Sequence, residues 1–188
     1  NSAFNFDTLS PDLIMDALEG IGLRVDSGLT ALNSYVNRVY QFMDEDRRRY
    51  VVKFYRPERW SAAQIGEEHQ FALDLAGAEI PAVAPLALQG TTLHMHGGFF
   101  FTLFPSVGGR QYEIDNLDQL EWVGRFLGRI HQVGGERLFA ERPTMGIEEY
   151  LIAPRQALAD CELLPAAQRE AFLQATDKLI AAIKPHWH

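Results

Sequence analysis

The stretch YVVKFYRPERW, Tyr50 to Trp60, decides how this chain folds. From Tyr50 to Tyr55 every residue is β-branched or aromatic except Lys53. Such a run favours a half-buried strand. On a strand, Val51, Lys53 and Tyr55 point one way while Tyr50, Val52 and Phe54 point the other. A lysine here is ordinarily a solvent-facing residue or a guard against edge-to-edge pairing. The alternative is an ammonium placed to meet a negative charge, and the neighbouring sequence weighs between the two.

Downstream, Ser61 and Gln64 form a capping box that opens a helix. Ile65, Ala72, Leu75 and Ala76 give that helix its apolar side. At about 100° per residue, Glu68 lies some 60° from Ile65, borders the sheet-facing side and can reach back to an inward Lys53. Glu67, roughly 160° away, is expected in solvent. Upstream, the segment LNSYVNRVY reads as a polar turn between two strands. Its backbone N–H groups, with Asn33, Ser34 and Asn37, are neutral donors suited to phosphate oxygens. Taken alone it is also an ordinary Asn/Ser hairpin turn, and the chain has neither a Gly-x-Gly-x-x-Gly segment nor a Walker-type loop.

Near the start of the chain, Ser10 and Pro11 open a short first helix with Leu13, Ile14, Ala17 and Leu18 on one side, ended by Gly20 and Gly22. Leu23 to Tyr55 reads as about three short strands, with DEDRRR as the tip of the last hairpin. AEIPAVAPLAL, with two prolines, suits an edge or irregular strand. TTLHMHGGFFFTLFP reads as a strand whose apolar run, Phe99 to Phe104, is central and buried. After PSVGGRQ, Pro105 to Gln111, the pattern is helical. Leu117, Leu120, Val123, Leu127 and Ile130 recur at helical spacing, as do Leu173, Leu179, Ile180 and Ile183 further on. The expected organisation is a sheet-plus-helix lobe over 1–104, a connector over 105–111 and a helical region over 112–188.

With 188 residues, 47% of them hydrophobic, the chain can bury a real core. A net charge of −8 disfavours nucleic acid and anionic membranes as partners, so any bound anion is caught by a local site. Cys161 is the only cysteine, which excludes an intrachain disulfide and fits a reducing, cytoplasmic setting. No apolar run is long enough for a transmembrane helix, and the start lacks the pattern of a secretory signal. Because it also lacks a Met, a few residues are expected to have been trimmed.

Strand, polar turn, strand, strand with a central lysine, helix with an inward glutamate: this order is the plan of the smaller lobe of a protein-kinase-like fold, an α+β architecture. The segments GLTALNSYVNRVYQF, RRRYVVKFYRPERW, EEHQFALDL and FPSVGGRQYE strongly resemble the bacterial stress response kinase A family. That family lies in the aminoglycoside/choline phosphotransferase branch of the protein-kinase-like superfamily, and the resemblance covers essentially the whole chain. It implies a cytoplasmic ATP-dependent kinase acting on protein serine and threonine, with Mg2+ as the metal. It further implies that Lys53 contacts the α- and β-phosphates and that Glu68 pairs with it. Ser34 and Asn37, with Asn33, would lie over the phosphates, and Phe104, Pro105, Ser106 and Val107 would form a hinge beside adenine. Val36 departs from the family's acidic residue before the turn asparagine.

A second departure is larger. The family's His-Gly-Asp-x-x-x-x-Asn segment and following strand aspartate, which orient the acceptor and hold the metal, have no counterpart here. Asp44 and Asp46 sit at a hairpin tip beside three arginines and are expected in solvent. His94 and His96 are expected to be partly exposed on a strand, with no third metal ligand, and His186 and His188 lie at a frayed end. The expectation is therefore an N-terminal piece of a longer kinase, without catalytic residues and inactive alone, whose helices expose apolar faces and favour self-association. Two alternatives stay open: a kinase for an amino alcohol, sugar or aminoglycoside, and a non-catalytic interaction module on the same scaffold. Lys53-dependent ATP affinity separates the last from the others.

Overall fold

In the computed structural model, residues 5–109 and 111–187 are described. Arg110 of the expected connector and His188 of the terminal histidine pair lie outside them. The backbone divides into two compact units, Asn1–Glu141 and Arg142–His188, with the division downstream of the connector.

The first unit opens on helix α1 (Pro11–Gly20), capped as the sequence predicts by the Ser10 hydroxyl accepting from Leu13 N–H. Five antiparallel strands follow in the spatial order β1 (Thr30–Leu32), β2 (Arg38–Met43), β3 (Arg49–Phe54), β5 (Phe99–Pro105), β4 (His94–His96). The sequence YVVKF therefore occupies the central strand, whose register sets Lys53 opposite Val39 on β2 and Thr102 on β5. Strand alternation sorts the two faces. Val52 and Phe54 of β3, Phe42 of β2, and Phe99, Phe101 and Leu103 of β5 form one core with Ile14, Ala17 and Leu18 of α1. Phe54 and Phe101 stack there with ring centroids 5.2 Å apart. Each such buried side chain contributes about 1.5–3 kcal/mol, which makes this face the rigid floor of the unit.

The opposite face carries Lys53 and Tyr55 and is covered by α2 (Ala62–Gly77). Its capping box is complete: the Ser61 hydroxyl accepts from Gln64 N–H and the Gln64 side chain accepts from Ser61 N–H. Of the expected apolar side, Ile65 and Leu75 are buried, with His69 between them.

The structure corrects several expectations. TTLHMHGGFFFTLFP is not one strand but a tight hairpin: His96 pairs with Phe99, and Gly97 and Gly98 both take positive φ, +56° and +85°. Two consecutive residues at positive φ are what a two-residue hairpin turn of type I′ demands, a signal masked by the apolar residues around it. AEIPAVAPLAL lies outside the strands and touches the sheet through Leu86 N–H donating to Leu103 carbonyl at 2.8 Å. Asp44 is buried rather than solvated, because its carboxylate accepts the Arg48 N–H at 2.8 Å inside the hairpin turn. His94 is likewise buried, its ring tilted against that of Phe101 with centroids 5.3 Å apart.

Helix α3 (Leu117–Glu136) is the last helix of the first unit. It exposes Leu117, Leu120, Trp122 and Leu127 and has no buried residue. The second unit comprises a single π-turn (Glu148–Ile152), α4 (Ala153–Asp160), α5 (Ala166–Ile183) and a terminal 3-10 turn (Lys184–His186). The Arg155 guanidinium joins α4 to α5 through two 2.8 Å bonds to Asp177.

Candidate functional site

Lys53 leaves β3 one residue before its end, on the face that α2 covers, and its Nζ donates to Glu68 Oε1 at 2.8 Å. The 60° offset of Glu68 from Ile65 thus does what helix geometry requires: it carries a carboxylate from the rim of α2 onto the sheet. The lysine side chain is 20% exposed and the glutamate 34%, so the pair is shielded from bulk water yet open on one side. The ammonium also lies 4.4 Å from the Tyr55 ring centroid and 5.7 Å from that of Phe104. Two aromatic faces and one carboxylate hold a point charge in a fixed place.

Register extends this site along the sheet. Residues directly opposite share a face, so Leu32 and Val39, Val39 and Lys53, Gln41 and Val51, and Val51 and Phe104 all project to the Lys53 side. Leu32, Val39, Val51 and Phe104 form an apolar shelf beside the cation, none of them fully buried. Val51 is on the face that strand alternation already gave to Lys53, whereas Leu32 and Val39, on the neighbouring strands, escaped the reading of the sequence. Their signal was the period-2 pattern, usable only once the register was known.

The remaining expected residues take different positions. Asn33 and Ser34 are exposed on the β1–β2 turn. The Asn37 side-chain oxygen accepts the Arg56 N–H at 3.2 Å, tying that turn to the segment just after β3. In the connector, Pro105 still belongs to β5, opposite Tyr50. Ser106 donates its N–H to the Arg49 carbonyl at 3.1 Å and accepts from Gln41 Nε2 at 3.0 Å, while Val107 is exposed. Glu67 is not merely solvated, since its carboxylate accepts the backbone N–H groups of Ala140 and Glu141. Gln64 donates to the Glu141 carbonyl at 2.9 Å, and Arg137 pairs with Asp74 at 2.8 Å. The outer side of α2 is thereby strapped by residues 137–141.

A group the sequence did not flag sits under the pair. His69, only 2% exposed, bonds through Nε2 to the Tyr55 hydroxyl at 2.8 Å and the Thr102 hydroxyl at 3.2 Å, and through Nδ1 to the Thr92 hydroxyl at 2.8 Å.

Among the described residues no group of three or more His, Cys, Asp or Glu side chains is arranged to hold a metal ion. Among the described residues no protein cage for Mg2+ is therefore formed, and no chemical step follows from one. The Lys53 ammonium and the apolar shelf do suit a nucleotide, which joins a polyanion to a flat aromatic base.

A five-stranded antiparallel sheet whose central strand presents a lysine to a glutamate on the covering helix is the small-lobe arrangement of a kinase-like phosphotransferase. Comparison with known proteins agrees. Residues 28–188 match the family described as "Phosphotransferase enzyme family", and the chain belongs to it. It is 65% identical over 187 residues to stress response kinase A of Escherichia coli (strain K12) and 60% identical to the serine/threonine protein kinase RdoA of Salmonella typhimurium (strain LT2). In both cases it covers 100% of this chain and spans 57% of the relative's length. Among solved structures it resembles an amicoumacin kinase in complex with AMP-PNP, Ca2+ and Ami, with a TM-score of 0.70, 20% identity, and 92% of this chain and 54% of that one covered. A spectinomycin phosphotransferase in complex with ADP and its antibiotic matches with a TM-score of 0.56, 13% identity, and coverage of 94% and 55%. These two likenesses establish the fold.

Proposed function

We infer that this chain supplies the nucleotide-binding part of an ATP-dependent protein kinase acting on serine and threonine hydroxyls. The observation that carries the reading is the 2.8 Å bond between Lys53 and Glu68 on the apolar sheet face. In this reading Glu68 fixes the ammonium, which then neutralises phosphate oxygens without having to be reorganised first. Leu32, Val39, Val51 and Phe104 receive the adenine ring, and residues 105–107 border it. The Asn33–Asn37 turn closes over the phosphates with its exposed donors. Protein hydroxyls as acceptors rest on the likeness to stress response kinase A and RdoA at 60–65% identity. The division into a sheet lobe over 1–104, a connector over 105–111 and a helical region over 112–188 belongs to the same reading.

The test is phosphate transfer from γ-labelled ATP by the chain extended to the full length of those relatives, offered protein substrates and aminoglycosides side by side. Label on serine and threonine, lost in Lys53→Ala, is the expected result. Label confined to the small molecule overturns the acceptor assignment.

A further inference from the structure

Lys53 and Glu68 meet across two separate elements, so something must register α2 against the sheet at that level. Apolar burial does this less sharply than hydrogen bonds do, because the hydrophobic effect is non-directional. A rotation of about 30° swings a carboxylate about 5 Å from the helix axis through about 2.5 Å, as far as the bond it makes. Besides His69, α2 buries Ile65 and Leu75, whose apolar contacts carry no directional preference of their own.

His69 has the geometry to fix that rotation. It is the residue after Glu68, and it lies in the buried stripe rather than at its edge. Its partners surround Lys53: Thr102 is the direct cross-strand neighbour of Lys53, and Tyr55 is the next residue on the same face, its ring 4.4 Å from the ammonium. Thr92 anchors the other nitrogen from the segment before β4. A neutral imidazole has one donor and one acceptor, and a hydroxyl can serve as either, so both ring nitrogens are satisfied in the buried site. Directional bonds from one side chain to three other segments fix the helix in rotation and in translation.

We propose that His69 is a positioning residue for the phosphate-binding pair, locking α2 to β3, β5 and the Thr92 segment so that Glu68 meets Lys53. The proposal rests on the nucleotide-site reading for its functional meaning, yet its physical content is the state of Lys53 and is measurable without ATP. The only other lysines in the chain are Lys178 and Lys184, both exposed. Amine acylation read peptide by peptide therefore carries its own internal references. In the wild type, Lys53 reacts slowest of the three.

His69→Phe, which keeps a planar ring and removes the hydrogen bonds, is expected to speed acylation of Lys53 about fivefold relative to Lys178 and Lys184. Thr102→Val, which strips a single hydroxyl from an isosteric side chain, moves it the same way by less. His69→Gln, which retains a donor and an acceptor, restores most of the protection. If His69 acts through Glu68, His69→Phe adds nothing in a Glu68→Gln background. A Lys53 rate unchanged by both His69→Phe and Thr102→Val, or fully additive effects with Glu68→Gln, overturns the proposal. Failure of the nucleotide-site reading shows elsewhere, as ATP affinity indifferent to Lys53→Ala, so the two outcomes are separable.

Discussion

A lysine inside an apolar strand is costly unless its charge is matched, and Glu68 with the rings of Tyr55 and Phe104 supplies the match. His94 shows the opposite case. Its Nε2 is buried without a hydrogen-bond partner, and burial holds its pKa below the ordinary 6.5. The sign follows from proton linkage. Well above pH 6.5 the imidazole is neutral in both folded and unfolded chains, and its burial against Phe101 contributes fully. As pH falls through 6.5 the unfolded chain takes up the proton first, so stability drops toward the lower folded-state pKa. Urea denaturation at about pH 7.5 and about pH 5.5 is expected to show a loss that His94→Phe reduces; an identical loss in the variant contradicts this account. Lys53 and Glu68 were legible in the sequence because alternation and helical rotation are local rules. His69 was not, because its partners Thr102 and Thr92 arrive from distant segments. A histidine on an apolar stripe says nothing about what will face it.

Elements tell a similar story. α1 and α2 were readable from their caps, Ser10, Ser61 and Gln64, since capping chemistry is written within a few residues. The β4–β5 hairpin was hidden because HMH is too short to show a pattern beside FFFTLFP. Gly97 is where that hairpin and α1 constrain each other. Its φ is +56°, and a Cβ there would stand 2.6 Å from Leu13 Cδ1. Gly97→Ala is expected to lose about 1–2 kcal/mol from the left-handed backbone, with further loss as Leu13 is displaced from the core it packs against. Gly98→Ala, with a similar φ but open space around it, isolates the backbone cost. Equal urea midpoints for the two variants would remove the close approach to α1 as a constraint.

For the whole molecule, the division of labour is between two faces of one sheet. One buries Phe42, Val52, Phe54, Phe101 and Leu103 against α1 and makes β3 rigid. The other presents a fixed ammonium beside an apolar shelf, under a helix held from both sides by His69 and by the 137–141 strap. Among the described residues no helix is long and apolar enough to cross a membrane. The most direct test of this arrangement is calorimetric titration of ATP into the chain and into Lys53→Ala and Glu68→Gln. Loss of a charge-assisted contact of about 1.5–3 kcal/mol predicts an affinity reduced about 10- to 150-fold in Lys53→Ala, with a smaller reduction in Glu68→Gln. ATP affinity in Lys53→Ala equal to that of the unaltered chain would contradict the account.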